Sequence, residues 1–210
     1  MQLTPEQTAY HRIADAMRET LLRLQRVNVD TAGLAALTAT LQLLNRQLEE
    51  HGAEERMLPR FQFEDLSGGI EWLLPYGPMT GPCNPLAPKL HFRRDSERLL
   101  AEVVVTSIHE GPPGMVHGGV LSGIYDQLLA FACILNGPAG PTASLSVDFR
   151  RPSPLGVPLH FAAWIGKTEG RKVHVEGECR DPEGQLLTTA RALFIGTHPG
   201  MKAPDALPRP

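Results

Sequence analysis

Three residues near the middle of the chain, Gly118, Gly119 and Asp126, have the types and spacing to do chemistry. The glycines follow His117 at the start of an apolar stretch, where they would let a carbonyl oxygen approach backbone N–H groups without a Cβ in the way. The positive end of a helix dipole would favour a negative charge that forms there. Asp126 is the only formally charged residue in 120–135. These residues predict an oxyanion-binding turn and a carboxylate that acts as general base or nucleophile.

The stretch that carries Asp126 has the pattern of a core helix. Apolar residues recur at helical spacing over 120–135, which predicts a helix buried nearly all round. A buried, unpaired charge is costly, so Asp126 needs either a specific partner or a chemical role. The plainer alternative is an aspartate satisfied by backbone N–H groups or by the hydroxyl of Thr142. The apolar stripe consists of Val120, Ile124, Leu128, Phe131 and Leu135.

The spacing between Gly119 and Asp126 bears on how they could cooperate. Seven residues of helix span roughly 10 Å along the axis. A carbonyl bound at Gly119 would therefore lie out of reach of Asp126 in the same chain, even with the side chain leaning toward the helix N-terminus. A two-fold dimer removes the difficulty, because Asp126 of one subunit can face the Gly119 turn of the other. We expect a homodimer or a dimer of dimers.

Strand patterns flank this helix on both sides. They predict a hairpin before the helix and four strands after it. In the first of those four, Leu145, Val147 and Phe149 share one face, and polar residues take the other (Ser144, Ser146 and Asp148). A long, curved antiparallel sheet wrapped around the helix, an α+β architecture, would cover the helix. The predicted strands are residues 90–93, 99–106, 142–151, 159–166, 172–180 and 186–195.

The N-terminal part predicts a helical hairpin. Thr4 and Asp30 are candidate N-caps, and Pro5 and Gln7 complete a helix-start signature after Thr4. Each helix has one apolar stripe, and the second stripe repeats in steps of three and four, typical of a narrow packing seam. A structural or dimer-forming role is favoured over a lid or a partner surface. The stripes are Ile13, Met17, Leu21, Leu24 and Val27, then Leu34, Leu37, Leu41, Leu44 and Leu48.

Composition divides the chain into four parts. They are the hairpin (1–50), a connector with a Pro/Gly-rich loop (51–84), the sheet-and-helix domain (85–196) and a flexible tail (197–210). Five prolines between residues 74 and 88 rule out a regular element there. This segment could wall a pocket for an apolar ligand, or it could be a stiff connector. The side chains that would line such a pocket are Tyr76, Met79 and Leu86.

Bulk properties exclude several classes of function. A formal charge of -3 and a pI near 6.2 give no support for a nucleic-acid partner. The N-terminus lacks a secretory signal pattern, and the helix that contains Asp126 is too short and too polar to be expected in a membrane. The three cysteines are widely spaced, which indicates reduced thiols and a cytoplasmic protein. No metal-ligand spacing is found around His109 and His117.

The segment 109–119, followed by Asp126, resembles the hotdog-fold acyl-CoA thioesterases of the PaaI type and their THEM-type branch. The resemblance continues through 142–145, 150–155 and 169–172, and it covers roughly residues 85–196. It implies a hotdog fold, hydrolysis of an acyl-CoA thioester to a free acid and coenzyme A, and a site shared between two subunits. No separate cofactor is implied, because coenzyme A belongs to the substrate.

The resemblance also implies roles for individual residues. The N–H of Gly119 would bind the oxyanion, Asp126 would be base or nucleophile, and Thr142 would assist it by orienting water. His117 would position the turn or touch the ligand, although a helix-capping histidine is equally plausible. Asp148 is acidic at a position that is polar and ligand-contacting in the THEM-type branch. The coenzyme A moiety would meet Gly118, Asp148, Arg150, Arg151, Arg171 and Lys172, although surface basic residues are usually only solvated.

Two other functions stay open at this stage. One is a non-catalytic acyl-CoA sensor, since some hotdog domains follow an N-terminal helical DNA-binding module. The acidic balance of residues 1–50 and the presence of Asp126 argue against it. The other is a hotdog hydratase or dehydratase, whose usual Asp/His pairing is not found in this sequence.

Overall fold

The computed structural model describes residues 3–52 and 69–196. The sequence predictions for the connector between these ranges and for the C-terminal tail lie outside the described residues. The helices are α1 (Pro5–Leu24), α2 (Thr31–Glu50) and α3 (Gly118–Asn136). The strands are β1 (His91–Asp95), β2 (Arg98–Val104), β3 (Thr142–Phe149), β4 (Pro158–Glu169), β5 (Lys172–Arg180) and β6 (Leu186–Ile195), and single 3-10 turns cover Ile70–Leu73 and Ser107–His109.

All six strands belong to one antiparallel sheet in the order β1-β2-β4-β5-β6-β3. This arrangement confirms the predicted antiparallel sheet, and each predicted strand is present. The fourth strand is longer than predicted and continues to Glu169, past a register shift between Ile165 and Lys167. The two edges of the sheet are β1 and β3, so each of these strands leaves one row of backbone groups unpaired within the chain.

The central helix α3 packs on the sheet through contacts with β2, β3, β4, β5 and β6. Leu128 and Leu129 are fully buried there, and Phe92 and Phe131 meet edge to face. By length and composition α3 could cross a membrane, but half of its most apolar stretch is buried inside the molecule. The helix is therefore the core helix that the sequence predicted.

The prediction that α3 is buried nearly all round is wrong for the single chain. One strip of the helix faces outward and carries small or polar residues (Gly119, Ser122, Gly123, Asp126 and Gln127). The reason is geometric, because a single sheet covers only one side of a helix. Asp126 is exposed, so its charge needs no compensation for burial within one chain.

The core also draws on residues upstream of the predicted start of the domain at 85. Ile70 and Leu73 lie on a single 3-10 turn and are fully buried in the same hydrophobic cluster as α3. Met79, from the Pro/Gly-rich loop, packs so closely on α3 that a Cβ added to Gly123 would lie 2.6 Å from its sulfur. The Pro/Gly-rich loop therefore packs on the outward strip of α3.

Both N-terminal helices are present, and their predicted caps are confirmed. The side chain of Thr4 accepts from the Gln7 N–H in a full capping box, and Asp30 accepts from the Gly33 N–H at 2.8 Å. These caps explain why the helices start where they do.

The face that α1 packs with differs from the one expected. Ala14 and Arg18 are buried, and the Arg18 guanidinium donates to the carbonyls of Asn84 and Ala87. The stripe expected to pack is largely exposed at Ile13, Met17, Leu24 and Val27. Aromatic neighbours from the loop region decide the orientation, since Tyr10 joins the cluster around Trp72 and Cys83.

No residue of α2 is buried by the described part of the chain. The leucine seam, which we define as Leu34, Leu37, Leu41, Leu44 and Leu48, is 41–54% exposed. An isolated helix of this length is marginally stable in water. The seam predicted from the sequence is thus present in α2, but the described residues bury none of its leucines.

Candidate functional site

The segment that leads into α3 is a closed loop held by its own backbone. The His117 N–H donates to the carbonyl of His109 at 2.9 Å, and the Gly111 N–H donates to that of Met115 at 2.9 Å. A Cβ on Gly111 would lie 2.8 Å from the Cα of His117, so only glycine allows this closure. The side chain of Glu110 accepts from the Gly114 N–H at 2.7 Å. The loop therefore presents the N-terminus of α3 in a defined position.

His117 is the N-cap of α3, which is one of the two roles considered for it. Its Nδ1 accepts from the Gly119 N–H at 2.9 Å, so that nitrogen carries no proton. The N–H expected to bind an oxyanion is thus already occupied in this structure. The Gly118 N–H has no acceptor among the described residues. The turn consequently offers one free donor and a second that is held by a displaceable, exposed side chain.

Asp126 lies on the same outward strip of α3 as Gly119. The offset of seven positions makes nearly two full helical turns, so both face one side. The Thr142 hydroxyl donates to Asp126 Oδ1 at 2.9 Å. Both side chains are exposed in the single chain. The hydrogen bond orients a carboxylate that remains open to water and to a ligand.

A bulge in β3 makes this contact possible. The register between β3 and β6 shifts between Thr142 and Ser144. Without the shift these two residues would share a face, because side chains alternate along a strand. With it, Thr142 turns to the helix side while Ser144 borders the cleft on the outer side of the sheet. The predicted alternation holds from Ser144 onward, with Leu145 and Val147 packed against the core.

A groove of about 280 Å³ opens beside the N-terminus of α3. Its lining combines apolar side chains with two of the predicted basic residues, Arg150 and Arg151. Phe149 lies on Gly118, where an added Cβ would come within 3.4 Å of the ring, and yet this phenylalanine is 55% exposed. An apolar surface next to two cations suits a ligand with an apolar part and an anionic part.

Three other predicted site residues lie away from this groove. Arg171 donates to the carbonyl of Gly196, and Lys172 pairs with Ile195 at the far end of β6. The N–H groups of Arg150 and Arg151 donate to the carbonyl of Leu187, near the start of β6. This position is roughly 26 Å from Ile195 along the strand. The expected cluster of four basic residues is therefore split in one chain. Asp148 is on the outer face of the sheet and meets Arg191 at 3.5 Å.

Sequence reasoning missed two contributors to the site. The strand pattern placed Phe149 on the same face as Leu145 and Val147. Met79 was one of three loop residues that could line a pocket. No local signal marks either of them, because their positions depend on how β3 ends beside Gly118 and how the loop crosses α3. Within residues 3–52 and 69–196, no group of three or more His, Cys, Asp or Glu is placed to hold a metal ion.

Residues 113–188, which include the helix turn, Asp126 and Thr142, match the family described as Thioesterase superfamily. A solved structure of a thioesterase superfamily protein is 32% identical to this chain, with a TM-score of 0.78. That similarity covers 89% of this chain and 90% of the other. The chain belongs to the thioesterase superfamily.

Relatives of this thioesterase superfamily member include two proteins named Acyl-coenzyme A thioesterase THEM4. The one from Xenopus laevis is 37% identical over 87 residues, covering 41% of this chain and 39% of the relative. The one from Rattus norvegicus is 32% identical over 110 residues, covering 51% and 47%. The chain thus spans less than half the length of either relative.

A more distant solved structure shows the fold alone. It is a Streptococcus mutans protein bound to acetyl CoA, with a TM-score of 0.51 and 16% identity. The match covers 53% of this thioesterase superfamily chain and 91% of the other. Together with the solved thioesterase superfamily structure, the antiparallel sheet packed on α3 confirms the hotdog fold that the sequence resemblance implied.

Proposed function

We propose that this protein is an acyl-CoA thioesterase, which hydrolyses a thioester to a carboxylic acid and coenzyme A. One observation carries the proposal: the exposed Asp126 carboxylate, oriented by Thr142, shares a helix face with the Gly118–Gly119 turn. A water-accessible carboxylate and helix N-terminal donors are the parts that thioester hydrolysis needs. The names of the relatives support the same chemistry.

The proposed active form is a two-fold dimer that joins through β3. The two edges of the sheet differ in a way that favours this strand. β1 has five residues and includes Arg93, Arg94 and Asp95, and such charges discourage pairing. β3 has eight residues with Asp148 as its only charge, and Leu145 and Val147 are only partly buried. An open, nearly uncharged edge is a template for a second strand.

Pairing of β3 with its symmetry mate would assemble the site. β3 begins at Thr142, beside Asp126, and ends at Phe149, beside Gly118. In an antiparallel pair related by a two-fold axis, the start of one strand meets the end of the other. Asp126 and Thr142 of one subunit therefore come next to the Gly118 turn of its partner, which overcomes the separation of roughly 10 Å within one chain.

The same two-fold axis would reunite the basic residues. Arg171 and Lys172 lie at the Thr142 end of β3, because the Ile195 N–H donates to the carbonyl of Pro141. Arg150 and Arg151 follow the other end directly. Across the axis the two pairs become neighbours, and together they form a cationic rim suited to the phosphates of coenzyme A.

In the proposed reaction Asp126 takes a proton from water as the water oxygen attacks the thioester carbon. The resulting oxyanion accepts from the Gly119 N–H, where it replaces the His117 imidazole, and from the free Gly118 N–H. Collapse of the tetrahedral intermediate breaks the carbon–sulfur bond and returns the proton to the coenzyme A thiolate. In the alternative route Asp126 attacks the carbon directly, and water then hydrolyses the anhydride.

Asp126→Asn tests the assignment of the carboxylate. The amide keeps the shape and can still meet the Thr142 hydroxyl, but it cannot accept the proton. We expect kcat on a panel of acyl-CoA substrates to fall by about 10² to 10⁴-fold, with little change in melting temperature. Turnover at the wild-type rate would contradict the assignment. Tight acyl-CoA binding without turnover by the wild type would instead support the acyl-CoA sensor.

Complementation tests the shared site. Mixed dimers combine an Asp126→Asn chain with a chain in which a Gly118→Val side chain blocks the turn, and each chain alone should be inactive. If one site takes Asp126 from one subunit and the turn from the other, mixed dimers regain about half of the wild-type activity per dimer, since one of two sites is complete. Mixtures that stay inactive would place both parts in one chain.

Thr142 tests the orientation of the carboxylate. Thr142→Val removes the hydroxyl that donates to Asp126 at 2.9 Å, and Thr142→Ser retains it. Loss of one oriented hydrogen bond should lower kcat about 10-fold in the valine variant. The serine variant should stay near wild type, and a loss in the serine variant with a valine variant near wild type would show that the methyl group and not the hydroxyl matters.

A further inference from the structure

The outward strip of α3 has two different flanks. Viewed along the helix axis, Gly119 and Asp126 lie within about 20° of each other. Gly118 lies about 80 to 100° to one side of them and lines the groove that contains two arginines. Gly123 lies about 40 to 60° to the other side, and Met79 packs against it. The candidate catalytic groups therefore lie between a groove with two cations and a methionine side chain.

Met79 occupies the space that Gly123 leaves free. A Cβ at this glycine would lie 2.6 Å from the sulfur, 2.8 Å from Cγ and 3.1 Å from Cε of Met79. Along the helix, Gly123 is about 6 Å from Gly119 and about 4.5 Å from Asp126. The thioether therefore borders both the oxyanion turn and the carboxylate, whichever chain supplies each of them to one site.

The loop that carries Met79 is closed by hydrogen bonds around it. The Gly81 N–H donates to the carbonyl of Gly77 at 3.1 Å, and the side chain of Asn84 donates to the same carbonyl at 3.3 Å. A Cβ on Gly81 would overlap the nitrogen of Gly77, so only glycine allows this turn. Arg18 of α1 donates to the carbonyl of Asn84 at 3.0 Å. Met79 is therefore presented by a fixed turn, which α1 helps to hold in place.

We propose that Met79 walls the acyl-binding site and determines which acyl groups this protein accepts. The inference rests on the proposed function. The reacting carbon lies between the Gly119 turn and Asp126, and its two substituents leave in different directions. The phosphates of coenzyme A favour the flank with two arginines, so the acyl group is left with the flank that Met79 borders. A flexible, apolar thioether is a suitable surface for an acyl chain.

Chain-length profiles test this inference. Met79→Ala removes Cγ, the sulfur and Cε, and so enlarges the acyl site. In this variant, the ratio of kcat/KM for dodecanoyl-CoA to that for butanoyl-CoA should rise at least about 10-fold. Met79→Phe fills more of the site, so the same ratio should fall below the wild-type value. Met79→Leu nearly conserves the volume and should keep the wild-type profile.

An exposed apolar residue on the outer face of the sheet provides the matched control. Val104 of β2 is 47% exposed, and its neighbour Val103 faces the core. Val104→Ala removes apolar surface away from α3 and should leave the chain-length profile unchanged. The melting temperatures of the Met79 variants should stay close to that of the wild type, because the side chain lies at the surface of α3 and not in the core.

A cysteine at this position tests direct contact. In an Asp126→Asn protein, which leaves the thioester intact, Met79→Cys should react with an ω-bromoacyl-CoA. The thiolate attacks the ω-carbon, a carbon–sulfur bond forms, bromide leaves, and the thiol proton goes to solvent. Mass spectrometry should show alkylation that saturates with reagent and is blocked by excess acyl-CoA, and Val104→Cys should show neither property. The native cysteines do not compete, because all three are buried (Cys83, Cys133 and Cys179).

The outcomes separate this inference from the proposed function. A wild type that turns over no acyl-CoA would contradict the thioesterase, but dissociation constants of dodecanoyl-CoA and butanoyl-CoA would still test Met79. Their ratio should change about 10-fold in Met79→Ala, in favour of the longer chain. Three results would overturn the inference: an unchanged profile in both Met79→Ala and Met79→Phe, an equal change in Val104→Ala, or alkylation of Met79→Cys that excess acyl-CoA does not block.

Discussion

The two helices α2 and α3 are nearly equal in length and both carry regularly spaced apolar residues, but their surroundings are opposite. Leu128 and Leu129 of α3 are fully buried, whereas every leucine of the α2 seam is at least 41% exposed. The spacing predicted a buried face in both cases. What differs is the partner, since the sheet of the same chain supplies it for α3 and no described residue supplies it for α2. Periodicity identifies a face that needs burial but not the molecule that buries it.

The same contrast applies to charge. Asp126 is an isolated charge in the most apolar helix of the chain, but it lies on the strip that the sheet leaves uncovered. Arg18 lies outside the apolar stripe predicted for the first helix, and yet its charged side chain is buried. Which face of a helix turns inward is decided by the elements around it, so the role of a charge follows from packing rather than from its neighbours in sequence.

Among the variants that compare α3 with α2, Leu128→Ala should have the largest effect on the free energy of unfolding. Leu128 is fully buried between α3 and the sheet, so the substitution leaves a cavity as well as losing apolar burial. We expect the free energy of unfolding to fall by about 2 to 5 kcal/mol at any protein concentration, measured by urea unfolding. A loss below about 1 kcal/mol would show that α3 is not held by its own sheet in the way that the structure describes.

The next largest expected effect concerns Glu71, on the 3-10 turn Ile70–Leu73. Burial raises the pKa of Glu71 from its ordinary value of 4.5 to about 7. The native state therefore binds this proton more tightly than the unfolded chain does, and stability that is fully present below about pH 4.5 is lost as pH rises through about 7. The loss can reach about 3 kcal/mol well above that range.

Glu71→Gln should remove this pH dependence. The free energy of unfolding of the wild type minus that of the variant should be largest at about pH 5 and smallest at about pH 8. Both proteins are measured in the same denaturant series. Glu6→Gln, at an exposed position of α1, is the matched control and should leave the profile unchanged. A parallel pair of profiles for wild type and Glu71→Gln would contradict the burial of this carboxyl group.

Leu37→Ala should have the smallest effect. Its side chain is 41% exposed, and no residue of α2 is buried by the described part of the chain. At high dilution, where a second chain cannot contribute, we expect the free energy of unfolding to change by less than about 0.5 kcal/mol. The measurement is the same urea titration as for Leu128→Ala. A loss as large as that of the core leucine, at high dilution, would break the contrast between the two helices.

Much of this fold could be predicted from local sequence. The caps at Thr4 and Asp30 are correct because a side chain three residues from a free N–H satisfies it without any tertiary contact. The strands are correct because alternation and turn residues are local signals. The bulge that turns Thr142 toward Asp126 could not be predicted, since it arises from how β3 registers on β6, a pairing between residues far apart in sequence.

The candidate site shows the same division. The sequence by itself determined which groups are available: two glycines at a helix start, a carboxylate seven residues later, a threonine and basic residues near strand ends. Only the tertiary structure decided that His117 caps the Gly119 N–H, that Phe149 lies on Gly118 and that the basic residues split between the two ends of β6. Residue type and spacing act over a few ångströms of chain, whereas these contacts depend on the sheet order that sets β3 at the edge.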